Sequence, residues 1–132
     1  MSSSAAAKVI PKESYKEFAA RYSAAWNAHD VPAIMAMHVD DTSYQRHGIP
    51  KVYKGKEAVA EQFGKDFSGL PGLHFEGVAL YGSDDHFASE SILTATKPDG
   101  TKVTIELVDV ITTRDGKVVH KSSYFVPSRP PR

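Results

Sequence analysis

Cysteine is absent from this sequence, and with it go disulfide staples, thiol nucleophiles and thiolate metal ligands. An excess of either charge is also missing: Lys plus Arg and Asp plus Glu both total 16, which leaves no field to draw in a phosphate backbone or an anionic lipid surface. Neither nucleic acid nor a membrane is therefore expected as a partner. No run approaches about 18 apolar residues, and the start from Met1 to Ala7 has neither the basic flank nor the apolar stretch of a signal peptide, so a cytoplasmic protein is expected. Glycine-rich phosphate loops, serine-centred nucleophile elbows and internal repeats are lacking too. The histidines at 29, 38, 47, 74, 86 and 120 never fall four apart, as two ligands on one helix face would. Neither a metal site nor another cofactor is expected.

What is present describes one ordinary globular domain. At 132 residues the chain buries roughly two-thirds of its unfolded surface and needs no staple. Its 41% hydrophobic and 24% charged residues match neither a disordered nor a fibrous protein. The reading is a flexible N-terminus over 1–10, a single domain over 11–127 and a short tail over 128–132 that Pro130 and Pro131 keep out of any strand.

From Pro11 onward Tyr15, Phe18, Ala19, Tyr22, Ala25 and Trp26 recur at three- and four-residue steps, predicting a first helix to about Ala28. Asp30 reads as the cap of a second, with Pro32 in its first turn, Ile34, Met35 and His38 on one face, and Asp40-Asp41 as its end. Thr42 to Tyr44 and Val52-Tyr53 read as a small outer ribbon broken at Gly48-Ile49-Pro50. A third helix opens at Gly55-Lys56-Glu57, carries Val59, Phe63 and Phe67 in steps of four, and ends within Ser68 to Gly72. Turn signals at Gly82 to Asp85, Pro98 to Gly100 and Asp115-Gly116 then divide four strands near 73–81, 86–97, 102–113 and 117–126. Helices followed by hairpin-linked strands form an α+β domain, with three helices on one face of a curved, mostly antiparallel sheet.

The stretch Tyr22-Ser-Ala-Ala-Trp26-Asn-Ala-His-Asp30, then Asp40-Asp41, Gly55 at a helix start, Val108-Asp109-Val110 and Asp115-Gly-Lys-Val-Val119 resembles the SnoaL-like polyketide cyclases and ketosteroid isomerases. The resemblance spans about residues 14–127 and implies the cone-shaped, nuclear transport factor 2-like (cystatin-like) fold around one apolar pocket. It also implies a homodimer formed through the open sheet face. The fold alone selects no reaction, because isomerases, cyclases, dehydratases, epoxide hydrolases and binding modules share it.

Asp109 interrupts an apolar stripe formed by Val103, Ile105, Leu107 and Ile111, and a carboxyl on a buried face must either pair or stay protonated. In the resembled isomerases an acid at this place stays neutral and donates to a developing oxyanion. Tyr22 matches the tyrosine that supplies the second donor there, and His38 matches an aromatic hydroxyl, which makes a Tyr22 to His38 hydrogen bond an expectation. Where those isomerases carry the proton-shuttling aspartate this chain has Arg46, within Tyr44-Gln45-Arg46-His47, so the usual steroid base is missing. His47 is then the expected base, since imidazole titrates near neutral pH, and Arg46 the expected donor to an oxygen.

The last hairpin is open at this stage. A three-residue turn pairs Thr113 with Lys117 and sets Asp109 opposite Lys121, with Lys121, Ser123 and Phe125 on its face. A two-residue turn sets Ser122 there, with His120 and Tyr124 beside it. The resemblance favours the first arrangement and, with it, an Asp109 that serves as base or ion-pair partner. The catalytic set expected is Asp109, Tyr22, His47 and Arg46, and the substrate-binding set Trp26, His38, Tyr44, Phe63, Lys121, Ser123 and Phe125. The corresponding function is cofactor-independent acid–base chemistry on a small apolar carbonyl or polyketide-like compound, through an enolate that isomerises, cyclises or loses water. The alternatives are a non-catalytic binding or dimerisation module and an epoxide hydrolase, for which a second carboxylate is unidentified.

Overall fold

A computed structural model describes residues 13–126, so the expected flexible start over 1–10 and the tail over 128–132 lie outside the described residues. Helix α1 (Tyr15–Asn27) begins at a capping box in which Ser14 and Glu17 satisfy each other's backbone N–H groups, and it buries Phe18, Ala19, Tyr22 and Trp26. Helix α2 (Val31–Ala36) starts where the Asp30 side chain accepts from the Ala33 N–H. It is shorter than its periodicity implies. The Val118 N–H donates to the Met37 carbonyl, and the chain is drawn into the sheet at that point. His38 therefore opens strand β1 (His38–Arg46) rather than closing a helix.

Strand β2 (Lys51–Lys54), helix α3 (Lys56–Gly69) and strands β3 (His74–Ser83), β4 (His86–Thr96), β5 (Lys102–Arg114) and β6 (Lys117–Val126) complete the domain. The sheet runs β2-β1-β6-β5-β4-β3. All neighbours are antiparallel except β1 and β6, which are parallel. The expected outer ribbon is thus a correction: β1 lies inside a six-stranded mixed sheet, and of the two expected ribbon strands β2 alone is an edge, the other edge of the sheet being β3. Three helices pack on one face, and the core between the layers joins Trp26, Ile34, Val59 and Phe63 to Phe87, Leu107, Ile111 and Val118.

Neither register expected for the last hairpin holds throughout. Asp115 and Gly116 sit at φ 53° and 75°, a two-residue turn that pairs Arg114 with Lys117. Val119 is then left unopposed between the pairs Thr113–Val118 and Thr112–His120, and this bulge moves the register on so that Asp109 faces Ser123. Lys121, Ser123 and Phe125 end on the helix-covered face with Asp109.

Candidate functional site

Between Trp26 of α1, Asp66 of α3 with Leu70 just past its end, and the covered face of the sheet lies a cavity of about 230 Å³. Most of its wall is apolar, from Leu73, Phe75, Leu93, Ile105, Leu107 and Phe125. The polar part comes from Tyr44, Arg46, Asp66, Asp109, Lys121 and Ser123. Seven residues expected from the sequence (Trp26, Tyr44, Arg46, Asp109, Lys121, Ser123 and Phe125) thus meet on one surface.

Two ion pairs organise it. Asp109 accepts a short hydrogen bond from the Ser123 hydroxyl, and its Oδ2 lies 3.7 Å from Lys121 Nζ. Lys121 is 3% exposed, and its ammonium rests 4.3 Å from the Trp26 ring centre and 5.1 Å from that of Tyr22. Burial pulls the Lys121 amine below its ordinary pKa, against the opposing pull of Asp109 and then Asp66. The second pair joins Arg46 Nη1 to Asp66 Oδ1 at 3.2 Å, and Gln62 donates to the same oxygen at 2.8 Å. Burial raises the Asp66 carboxyl, opposed first by Arg46 and then by the Gln62 bond. The Arg46 guanidinium lies 5.2 Å from the Phe125 ring centre. Burial also pushes the Tyr44 phenol above its usual range, with the Asp66 charge adding to the effect.

Tyr22, His38 and Phe63 stand behind this wall rather than on it. The Thr42 hydroxyl donates to the Val119 carbonyl at 3.3 Å, so it accepts from His38 Nδ1–H at 2.8 Å. His38 Nε2 is then the acceptor for the Tyr22 hydroxyl at 2.8 Å. The expected Tyr22–His38 bond is present, and it spends the phenol's proton on imidazole instead of on a molecule in the cavity. Burial holds His38 neutral, with its pKa lowered from 6.5 to about 3, while Lys121 and Lys56 add repulsion. Tyr22 does border a void of about 20 Å³ beside Asp109, Ser89, Ser91 and Lys121, a space of roughly one water.

His47 does not line the cavity. Its ring stacks on Tyr124 at 3.8 Å between centroids and 7° between planes, and Tyr124 belongs to the opposite, open face. The alternation of β1 decides this: Tyr44 and Arg46 point inward, so the next residue does not. The cavity does present a carboxyl that was not among the residues expected from the sequence, that of Asp66. The signal was available, because Asp66 lies seven residues after Val59 and three after Phe63, on the stripe that α3 buries. Among the described residues no three His, Asp or Glu side chains group as metal ligands would.

The profile of the SnoaL-like domain family matches residues 19–121. Comparison with curated proteins finds no match. Among solved structures, the epoxide hydrolase/cyclase-like enzyme SalBIII, described for pyran ring formation in the polyether salinomycin, is 26% identical over 84% of this chain and 89% of its own, at TM-score 0.75. A hypothetical protein of Catenulispora acidiphila with a ketosteroid isomerase-like fold, solved with trimethylamine, is 18% identical over 82% and 84%, at 0.75. A candidate SnoaL-like polyketide cyclase of Jannaschia sp. CCS1 is also 18% identical, over 88% and 92%, at 0.75. The element order, the mixed sheet with its helix-covered face, and the length of the match agree: the chain belongs to the SnoaL-like domain family.

Proposed function

We propose that this protein is an acid–base enzyme that forms an enolate, or an equivalent oxyanion, from a small apolar carbonyl compound, without a cofactor. The observation that carries the reading is the meeting of two carboxylates and two cations on one mostly apolar cavity of about 230 Å³. Asp66, raised by burial toward the range where a carboxylate is an effective base, takes the α-proton. Arg46 and Gln62 hold it in place. The Lys121 ammonium, with Tyr44 beside it, receives the developing negative oxygen, and Asp109 with Ser123 fixes Lys121. This replaces His47 as base and moves Tyr22 from oxyanion donor to support. Exchange of α-hydrogen for deuterium in a panel of small cyclic ketones, followed by NMR, tests it. The wild type should exceed the buffer rate, and Asp66→Asn should lose about two orders of magnitude. Equal rates in wild type and Asp66→Asn would refute the assignment, and ligand stabilisation with no exchange in any ketone would favour a binding module.

A second reading, epoxide opening by water, is favoured by one specific observation: Asp66 supplies the second carboxylate on the same wall as Asp109 and Arg46. SalBIII adds weight to it. Release of a diol carrying oxygen from labelled water, with no α-exchange of ketones, would select this reading. Under either reading we take the protein to act as a homodimer through the open sheet face, where Val78, Val110, Tyr124 and Val126 are exposed.

A further inference from the structure

We infer that the Lys121 amine is a nucleophile that captures an aldehyde or ketone in the cavity as an imine, so that its contribution goes beyond holding a charge near an oxygen. The inference deepens the proposed function and rests on its premise that carbonyl compounds enter this cavity.

Three observations carry it. Among the described lysines Lys121 alone is buried, at 3% exposure, whereas Lys102 and Lys117 at the ends of the same hairpin are exposed. It lines the cavity, so an electrophilic carbon held between Trp26 and Phe125 can reach it. Its nearest carboxylate oxygen, Asp109 Oδ2, is 3.7 Å away, a long ion pair that leaves nitrogen free to turn toward a ligand while keeping a proton acceptor beside it. Three rings surround the ammonium, those of Trp26, Tyr22 and Phe63 at 4.3, 5.1 and 5.7 Å, and shut water out; that burial, against the rings' own attraction for a cation, weakens the amine's hold on its proton. An arginine or a surface lysine would offer none of this.

The steps balance. The ammonium passes one proton to the Asp109 carboxylate, and the neutral amine's electron pair forms the C–N bond as the carbonyl π pair moves to oxygen. A proton shift from nitrogen to that oxygen gives a neutral carbinolamine. The Asp109 carboxyl returns its proton to the hydroxyl, the C–O bond breaks, water leaves, and the nitrogen pair closes a C=N bond. The net change converts ammonium and carbonyl into a protonated imine and one water. The cation so formed acidifies the neighbouring C–H toward Asp66, and water later reverses the sequence.

Benzaldehyde with sodium cyanoborohydride is the test, because the probe has no α-hydrogen and the hydride converts any imine into a stable secondary amine. Intact mass and peptide mapping should show one adduct, on Lys121, formed several-fold faster than any on Lys102 or Lys117. Lys121→Arg should lose it, and Lys117→Arg should keep it. Mapping of the wild type alone decides the point if Lys121→Arg fails to fold. Thermal stabilisation by benzaldehyde without reductant separates the two proposals. Stabilisation with no adduct on Lys121 would overturn the imine and leave the carbonyl site standing, and neither stabilisation nor adduct would overturn both.

Discussion

His38 is fully buried between Tyr22 and Thr42, which makes it a sensor of acid. Its pKa is near 6.5 in the unfolded chain and about 3 in the folded one, so between those values the unfolded state binds the extra proton. Stability contributed by neutral His38 is complete above about 6.5 and is lost as pH falls toward 3, by at most about 1.4 kcal/mol per pH unit. His38→Gln keeps one donor and one acceptor but does not titrate, so urea unfolding at pH 5 and pH 7.5 should show a smaller fall for the variant than for the wild type. Parallel falls would mean that His38 holds its proton equally well in the folded and unfolded chains, and would contradict the account. Asp109 and Asp66 illustrate what single residues reveal in a sequence. A carboxyl breaking a period-two stripe stands out, and Asp109 did. Asp66 extends the buried stripe of Val59 and Phe63, but Glu61 and Lys65 beside it in sequence form an exposed pair on the other face of the helix, and among them the carboxyl reads as ordinary surface charge.

At the scale of elements, the chemistry depends on which way β6 faces. The two-residue turn at Asp115-Gly116 would by itself put Lys121 on the open face, and the Val119 bulge restores it to the cavity. Deletion of Val119 therefore removes an irregularity and leaves Asp109 opposite Ser123. Deletion of Ser122 turns Ser123 and Phe125 outward. The second deletion should cost more, by about 3 kcal/mol or above, with urea midpoints as the readout. Similar midpoints would show that the register is not set as described. A bulge is not legible in the sequence, because one extra residue changes no hydrophobic count and the turn Asp115-Gly116 is compatible with two hairpin lengths. The start of β1 escaped for a different reason. Ile34, Met35 and His38 fit a helix locally, and the parallel pairing of His38 with Val118, 80 positions away, outweighs that preference. The capped helices and the hairpin strands were legible because their signals are local.

For the whole molecule, two faces of one sheet divide the work. The covered face makes the cavity, and the open face carries Val78, Val110, Tyr124 and Val126, 38% to 61% exposed, with His47 stacked on Tyr124. If copies join there, Val110→Lys with Val126→Lys should halve the mass seen by light scattering while leaving thermal stability at low concentration unchanged. An unchanged mass would remove that face from the account. No helix among the described residues is long and apolar enough to cross a membrane. The claim on which the rest depends is that a small carbonyl compound sits between α1, α3 and the covered face, against the Lys121 and Asp66 side chains. Intermolecular nuclear Overhauser effects from 2-indanone measure this directly. The account predicts contacts with the rings of Trp26 and Phe125 and with Leu107, and contacts only with Tyr124 and His47 would contradict it.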